Sequence, residues 1–302
     1  MSEIIDFSLY PPPPELIIPL LKWKYLVRAV LRSKNVMMIG ASGTAKTMAA
    51  RCVSEALKRP FEKFNIGSTD DARATLIGNT TYKKELGTVF HKSTFVNAIT
   101  TPNTIVLLDE LTRGSHSAWN ILMTVIDPTQ RYLRLDENEC GETINVANGV
   151  CFIATSNVGN EYTATKVLDK ALSRRFPIKL EMESLDRQDL LKLSDILFPN
   201  RTIDQFKMME TLSNIYEDLI LNCKMEDAKI SIFISVASMV EMFELIIDGF
   251  TIQEIAEAAI FPEFPDDGVA DSERTFCKAI LQKYIGNTNV SSPVNDPLKN
   301  RK

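Results

Sequence analysis

The chain has 302 residues, of which 45% are hydrophobic and 24% charged, and a formal net charge of −5. This length and balance are typical of a soluble protein with about two domains and a real hydrophobic core. No apolar run approaches the roughly 20 residues of a membrane helix, and the first residues show no signal-peptide pattern. The negative charge gives no general attraction to nucleic acid.

The cysteines and histidines restrict the class of protein further. Five cysteines are scattered without a Cys-x-x-Cys pair, and there are only two histidines. This usage argues against a disulfide framework, a zinc site and a histidine-rich metal centre. We therefore expect reduced thiols and a cytoplasmic location.

The first part of the chain reads as an irregular segment followed by helices and strands. Residues 1–14 are expected to be irregular, because prolines 11–14 fit neither a helix interior nor a central strand. Apolar spacing over residues 15–33 predicts one or two helices. A helix over residues 48–58 follows, and residues 61–66 alternate as a strand does.

Two short apolar runs, residues 104–108 and 150–154, predict two more strands. Strands separated by helical patterns favour a parallel sheet with helices on both faces. Between these runs, residues 131–135 and 143–146 flank a polar turn and predict a β-hairpin. The α/β domain is expected to cover residues 15–184.

Beyond residue 185 the strand signals end and helical periodicity takes over. One helical face, expected to pack in a core, ends at Gly249 and comprises Ile232, Val236, Met239, Val240, Phe243, Ile246 and Ile247. A smaller all-helical domain over residues 185–285 is therefore predicted. The polar residues 286–302 are expected to be disordered.

The most informative segment is residues 36–47, which predict a buried strand, a glycine-containing loop and the start of a helix. Backbone N–H groups in such a loop bind phosphates at a helix N-terminus. Lys46 is expected to contact the β- and γ-phosphates, and the Thr47 hydroxyl to bind Mg²⁺. The residues predicted to bind nucleotide are Gly40, Ala41, Ser42, Gly43, Thr44, Ala45, Lys46, Thr47 and Met48. Ala45 stands where a second glycine is usual, and a chance glycine turn is the alternative.

Two acids follow the apolar strand of residues 105–108. Parallel strands deliver their carboxyl ends to the ligand crevice, so Asp109 and Glu110 are expected beside the phosphate loop. Asp109 is predicted to orient Mg²⁺, and Glu110 to polarise the water that attacks the γ-phosphorus. The simpler alternative is a solvated acidic strand end.

Polar groups also follow the strand of residues 150–154. Asn157 could hold the attacking water or a phosphate oxygen, or it could be a plain turn asparagine. Arg174 and Arg175 could stabilise transferring phosphoryl charge on a neighbouring subunit, or they could be surface charges only.

Together these parts resemble an AAA+ ATPase, most of all the MoxR-like and dynein-related branch. Residues 108–114 (LDELTRG) are similar to a characteristic segment of that branch, and residues 173–176 to its Asp-Arg-Phe ending. Residues 76–90 occupy the place of its extra hairpin. The alanine before Lys46 is itself common in this branch. The resemblance covers residues 20–285 and implies a P-loop sheet flanked by helices, with a helical lid domain.

The resemblance also implies an Mg²⁺-dependent ATPase that forms a ring, usually a hexamer, with ATP bound between subunits. In such a ring Arg175, directly before Phe176, is the closer match to the arginine that acts in trans, and Arg113 could lie at the boundary. One departure concerns the lid. Phe233 stands where the branch often has an arginine, and Lys229 could substitute as a point charge.

MoxR-like ATPases are generally remodelling chaperones, which implies a protein client or a von Willebrand A-type partner on another chain. The predicted hairpins at residues 80–90 and 131–146 are candidate client loops. An AAA+ nucleic-acid motor, or a nucleotide-driven restriction or translocation subunit, shares the same motifs but is not favoured by the acidic balance. A nucleotide-dependent scaffold that does not hydrolyse ATP is a further alternative.

Overall fold

A computed structural model describes residues 4–84, 87–136, 141–157, 168–223, 225, 230–231, 234–266 and 272–285. Internal contacts divide the chain into two compact units, residues 1–185 and residues 186–302. The finer boundaries given above for four segments stay a prediction. In the described part of the chain, none of the helices has the length and apolar character of a membrane span.

The first unit alternates strands with helices, apart from two hairpins. Its strands are β1 (Val36–Gly40), β2 (Phe61–Asn65), β3 (Gly78–Lys83), β4 (Gly87–Lys92), β5 (Ile105–Asp109), β6 (Tyr132–Leu135), β7 (Glu142–Asn145), β8 (Cys151–Asn157) and β9 (Ile178–Glu181). Its helices are α1 (Leu20–Leu31), α2 (Lys46–Ala56), α3 (Ala72–Leu76), α4 (Thr94–Thr100), α5 (His116–Val125) and α6 (Lys170–Arg174).

Five strands form one parallel sheet in the order β2-β5-β8-β1-β9. The register pairs Gly40 with Asn157 and Asn65 with Asp109, so these strands end along one edge of the sheet. This arrangement confirms the predicted α/β fold. The short edge strand β9, which pairs with β1, was not among the predicted strands.

Alternate side chains of the central strands enter two hydrophobic cores, one on each face of the sheet. Val106, Leu108 and Phe152 lie in the core that contains Trp119, Phe95 and Leu76. Ile105, Leu107 and Ile153 lie in the other core, with Trp23 and Val53. Because every residue of β5 and β8 is buried, the first four residues of each strand read as a continuous apolar run without alternation, and polar residues follow only at the strand ends.

Two antiparallel hairpins are inserted into this pattern, β3–β4 and β6–β7. Both lie where hairpins were predicted, and residues 85–86 and 137–140, between the paired strands, lie outside the described residues. An ion pair joins the hairpins, since Lys92 Nζ on β4 lies 2.8 Å from Glu142 Oε1 on β7.

The second unit is helical in its described part, as predicted. Its helices are α7 (Arg187–Leu197), α8 (Ile203–Cys223), α9 (Val236–Ile247), α10 (Ile252–Ile255) and α11 (Glu273–Ile285). On α9 the buried residues are Met239, Met242, Phe243 and Ile246. The prediction was wrong for Ile247, which is exposed, because the buried face is centred closer to Met242 and leaves Ile247 at its margin; Ile232 lies outside the described residues.

Candidate nucleotide-binding site

The loop between β1 and α2 has the backbone shape of a phosphate cradle. Gly43 has φ +73°, and Ala45 immediately before α2 has φ +56° and ψ +21°. Ala45 therefore adopts the left-handed conformation that glycine adopts more easily. At Gly40, a Cβ atom would lie 2.1 Å from the carbonyl oxygen of Met182, so no larger residue fits there.

Lys46 is the first residue of α2, and its ammonium group turns back over the loop. Its Nζ donates to the carbonyl oxygens of Gly40 at 3.0 Å and Ala41 at 2.5 Å. Lys46 is 7% exposed. Burial lowers the pKa of Lys46 to about 8, while the charges of Asp109 and Glu110 oppose this shift.

Asp109, at the end of β5, is held by three elements of the sheet edge. Its Oδ1 accepts hydrogen bonds from Thr155 Oγ1 at 2.5 Å and from Thr47 Oγ1 at 3.4 Å. Its Oδ2 lies 2.6 Å from Lys63 Nζ. Burial opposes ionisation of this carboxyl, but hydrogen bonds from Lys63, Thr155 and Thr47 outweigh it, and the pKa of Asp109 is lowered.

Glu110 follows in the left-handed conformation, with φ +53°. Its backbone N–H donates to Thr155 Oγ1 at 2.9 Å. Its carboxylate accepts from Arg113 Nη1 at 3.1 and 3.2 Å and from Asn157 Nδ2 at 3.4 Å. The structure thus brings Glu110 and Asn157 together, so that one water could contact both side chains.

Gly67, in the loop after β2, provides the space for the side chains of Glu110 and Arg113. A Cβ atom on Gly67 would lie 2.7 Å from Glu110 Oε2, 2.8 Å from Glu110 Cβ and 3.1 Å from Arg113 Cβ. Sequence reasoning missed Gly67 and the Arg113 contact. The only sequence signal for the contact between Glu110 and Arg113 was their spacing of three residues.

The two adjacent arginines have different surroundings. Arg175 is 19% exposed in its side chain, and its Nη2 lies 2.9 Å from Asp127 Oδ2. It also donates to the backbone oxygens of Met123 and Ala171 at 2.9 and 2.8 Å. Arg174 is exposed at the end of α6 and makes no ion pair with the described residues. Arg175 could act on a neighbour only by releasing its contacts with Asp127.

The lid prediction rests on residues that the structure does not describe. Phe233 and Lys229 both lie outside the described residues, as does residue 232. The expectation that the lid lacks its usual arginine, with Lys229 as the candidate substitute cation, therefore stays a prediction.

Thr47 and Asp109 provide the donor set that Mg²⁺ prefers. Their oxygens are 3.4 Å apart, and both are hard ligands for a cation that usually keeps several waters and binds one or two carboxylates plus phosphates. The residues present therefore fit Mg²⁺.

A protein-family model matches the part of the chain that contains these site residues. Residues 35–176 match the family model described as the AAA domain of the dynein-related subfamily. The matched range includes the phosphate loop, Asp109, Glu110, Asn157 and both arginines. These residues form an AAA domain of the dynein-related subfamily.

Individual proteins are similar over parts of the chain. A candidate chaperone, BssE of Thauera aromatica, is 34% identical over 47% of this chain and 48% of its own length. An uncharacterized protein of Staphylococcus saprophyticus is 28% identical over 62% of this chain and 68% of its own length. The solved structure of a candidate ATPase from Cytophaga hutchinsonii aligns over 90% of both chains, with 16% identity and a TM-score of 0.45.

The match confirms the predicted resemblance to the dynein-related branch. The chain spans about half the length of BssE. The roles assigned to individual site residues stay predictions.

We predict that nucleotide binding to the AAA domain takes up a proton above pH 8. A phosphate beside Lys46 favours its ammonium form, whereas the pKa of about 8 leaves this amine partly neutral without nucleotide. Affinity for ADP should fall as the pH rises from 7 to 9, approaching tenfold per unit above pH 8. Calorimetry in buffers of different ionisation enthalpy measures the proton directly. Lys46→Arg, which stays charged, should bind without this uptake, and a wild-type affinity that is constant across this range would contradict the prediction.

We also predict that Gly67→Ala separates binding from hydrolysis. The added methyl group collides with Glu110 at 2.7–2.8 Å and must displace it, while the phosphate loop is untouched. ATP hydrolysis should fall about tenfold to a hundredfold, with nucleotide affinity changed less than twofold. Ser68→Ala, at the exposed neighbouring position, is the control and should behave as wild type. Unchanged turnover in Gly67→Ala would show that Glu110 does not need its present position.

Proposed function

We propose that this protein is an Mg²⁺-dependent ATPase that works as a ring, and that it remodels a protein partner. The observation that carries this proposal is the convergence of Lys46, Thr47, Asp109, Glu110 and Asn157 on one edge of the sheet. Within an AAA domain, this is the set of groups that phosphoryl transfer to water requires.

The chain's own groups have distinct tasks in this reaction. The loop backbone and the N-terminus of α2 bind the phosphates, and Lys46 exchanges its carbonyl partners for phosphate oxygens. Thr47 and Asp109 would hold Mg²⁺, which would neutralise charge on the phosphate oxygens when bound. Glu110 accepts the proton of the attacking water, and the Asn157 amide orients that water.

Arg113 helps to hold the carboxylate of Glu110 in place. Both carboxylate oxygens accept hydrogen bonds from Arg113 Nη1, at 3.1 and 3.2 Å. Each carboxylate oxygen has a second lone pair, so Glu110 can accept a hydrogen bond from the attacking water while it keeps this contact. Arg113 is the last residue of the 3₁₀ turn Leu111–Arg113, which directly follows Glu110, and its side chain is 38% exposed.

Two variants test the ATPase assignment. Lys46→Ala should lose nucleotide binding, because it removes the buried cation that faces the phosphates. Glu110→Gln should bind ATP with nearly wild-type affinity and hydrolyse it at least about a hundredfold more slowly. Lys179→Ala, an exposed lysine on β9, is the matched control for charge.

The outcomes of this test separate the possible functions. A wild-type protein that binds ATP without turnover would contradict the ATPase proposal and support a nucleotide-dependent scaffold. Full activity in Glu110→Gln would contradict the catalytic assignment of this residue.

We assign the trans role to Arg174, although Arg175 is the closer match in sequence. Arg174 is exposed, whereas Arg175 is committed to Asp127 and to two backbone oxygens. In this assignment Arg175 fixes the end of α6, so that the neighbouring Arg174 projects towards the next subunit of the ring.

Mixed rings distinguish the two arginines. Arg174→Ala should keep the wild-type Tm and lose at least about a hundredfold in ATPase rate, and doping with Lys46→Ala subunits should restore part of that rate. Arg175→Ala should instead lower the Tm by several degrees, because Asp127 loses its ion-pair partner. Rescue of Arg175→Ala but not of Arg174→Ala in co-assembled rings would reverse the assignment.

A protein client is supported by one relative and by the architecture. BssE, which is named as a candidate chaperone, is similar over 47% of this chain. The hairpins β3–β4 and β6–β7 carry exposed polar side chains that could contact a client, such as His91 and Arg134. We propose a homo-hexamer acting on a client, with any von Willebrand A-type partner on another chain. Co-purification with the Glu110→Gln variant, which should hold clients longer, would identify them.

A further inference from the structure

We propose that Lys63 is a positioning residue for the magnesium site, acting through Asp109. This inference rests on the proposed ATPase function. It adds a residue that no phosphate-loop or acidic-strand motif contains. Lys63 lies in the middle of β2, the edge strand that pairs with β5.

The contact that supports this role is short and directed. Lys63 Nζ lies 2.6 Å from Asp109 Oδ2, although the Lys63 side chain is 40% exposed and starts on the neighbouring strand. The Asp109 side chain is only 12% exposed. An ammonium group that could remain in water is instead placed against one oxygen of a largely buried carboxylate.

The two oxygens of Asp109 have different partners. Oδ2 contacts Lys63, while Oδ1 lies 3.4 Å from the hydroxyl of Thr47, the other predicted Mg²⁺ ligand. Thr155 donates to the same Oδ1 at 2.5 Å. Lys63 thus engages the oxygen that does not face Thr47, so its ammonium group does not occupy Oδ1, the oxygen on the side of the predicted metal.

Orientation of this carboxylate needs such an anchor. The terminal torsion of an aspartate is broad, so a carboxylate held at one oxygen alone can rotate away from a metal. Hydrogen-bond partners of metal-binding carboxylates fix this rotation, and their loss typically costs 10–100-fold in metal affinity. Removal of Lys63 should therefore weaken Mg²⁺ binding and leave metal-free nucleotide binding intact.

The same contact allows the opposite effect, in which Lys63 competes with Mg²⁺ for Asp109. Two cations on one carboxylate repel each other, so a competing Lys63 would weaken metal binding and its removal would strengthen it. The geometry favours the positioning role, because Lys63 contacts Oδ2 and Thr47 faces Oδ1. The sign of the change in Mg²⁺ affinity decides between the two.

The experiment measures Mg²⁺ affinity through nucleotide binding to the full chain. A fluorescent ADP analogue is titrated in EDTA, and Mg²⁺ is then titrated at fixed nucleotide concentration. Lys63→Met, which keeps the aliphatic stem, should raise the half-saturating Mg²⁺ concentration about tenfold and change nucleotide affinity in EDTA less than twofold. Lys63→Arg should restore most of the Mg²⁺ affinity, since it keeps a cationic donor. Lys179→Met, a matched exposed lysine on the opposite edge strand β9, should behave as wild type.

Several results would overturn the proposal. An unchanged or lower half-saturating Mg²⁺ concentration in Lys63→Met would do so, and the lower value would indicate competition. An equal shift in Lys179→Met would also overturn it, because the effect would then be one of general charge. Nucleotide binding in EDTA reports on folding of the phosphate loop in each variant. Failure of the wild type itself to bind nucleotide would contradict the proposed function, and the positioning role with it.

Discussion

The site depends on the interactions of one group, the carboxylate of Asp109. It lies at the end of β5 and binds α2 through Thr47, β8 through Thr155 and β2 through Lys63. A single charged group thus connects three other elements of the α/β unit at the edge where the parallel strands end. Its charge is stabilised by hydrogen bonds despite burial, which is why its pKa is lowered and why it stays ionised at neutral pH. Its charge also acts on the ammonium group of Lys46, and Glu110 follows it directly in the chain.

Backbone conformation contributes a second constraint at the same edge. Ala45 and Glu110 both adopt positive φ angles without being glycine, at +56° and +53°. Such residues cost of order 1–3 kcal/mol each and persist only where surrounding contacts determine them. At Glu110, the contacts include the hydrogen bond from its N–H to Thr155. One threonine side chain therefore hydrogen-bonds both the carboxylate of Asp109 and the backbone turn that follows it.

The sequence predicted the features that depend on patterns along the chain. Apolar runs predicted β5 and β8, because both strands are buried on both faces of the sheet. The order of strand, glycine-containing loop and helix predicted the phosphate loop, because such a loop needs small residues at fixed positions. The strand β9 was missed because it is four residues long and half exposed at the sheet edge. Lys63 and Gly67 were missed for another reason. Their roles arise from the pairing of β2 with β5, and a lone lysine or glycine carries no signal of that pairing. The Arg175–Asp127 ion pair likewise joins residues that are distant in sequence, so the motif favoured Arg175 for a role that its contacts oppose.

Gly40 belongs to the phosphate-loop motif, but the fold requires it for a reason that is independent of catalysis. This glycine is required because the backbone after β9 passes too close for any side chain, and a Cβ atom would lie only 2.1 Å from the carbonyl oxygen of Met182. A protein with this fold that had lost nucleotide turnover would still need a glycine here, whereas the carboxylate of Glu110, which contacts Arg113 and Asn157 and is 26% exposed, could be replaced without such a backbone collision. The first glycine of the motif is thus a marker of the fold, and Glu110 is the better marker of a working enzyme.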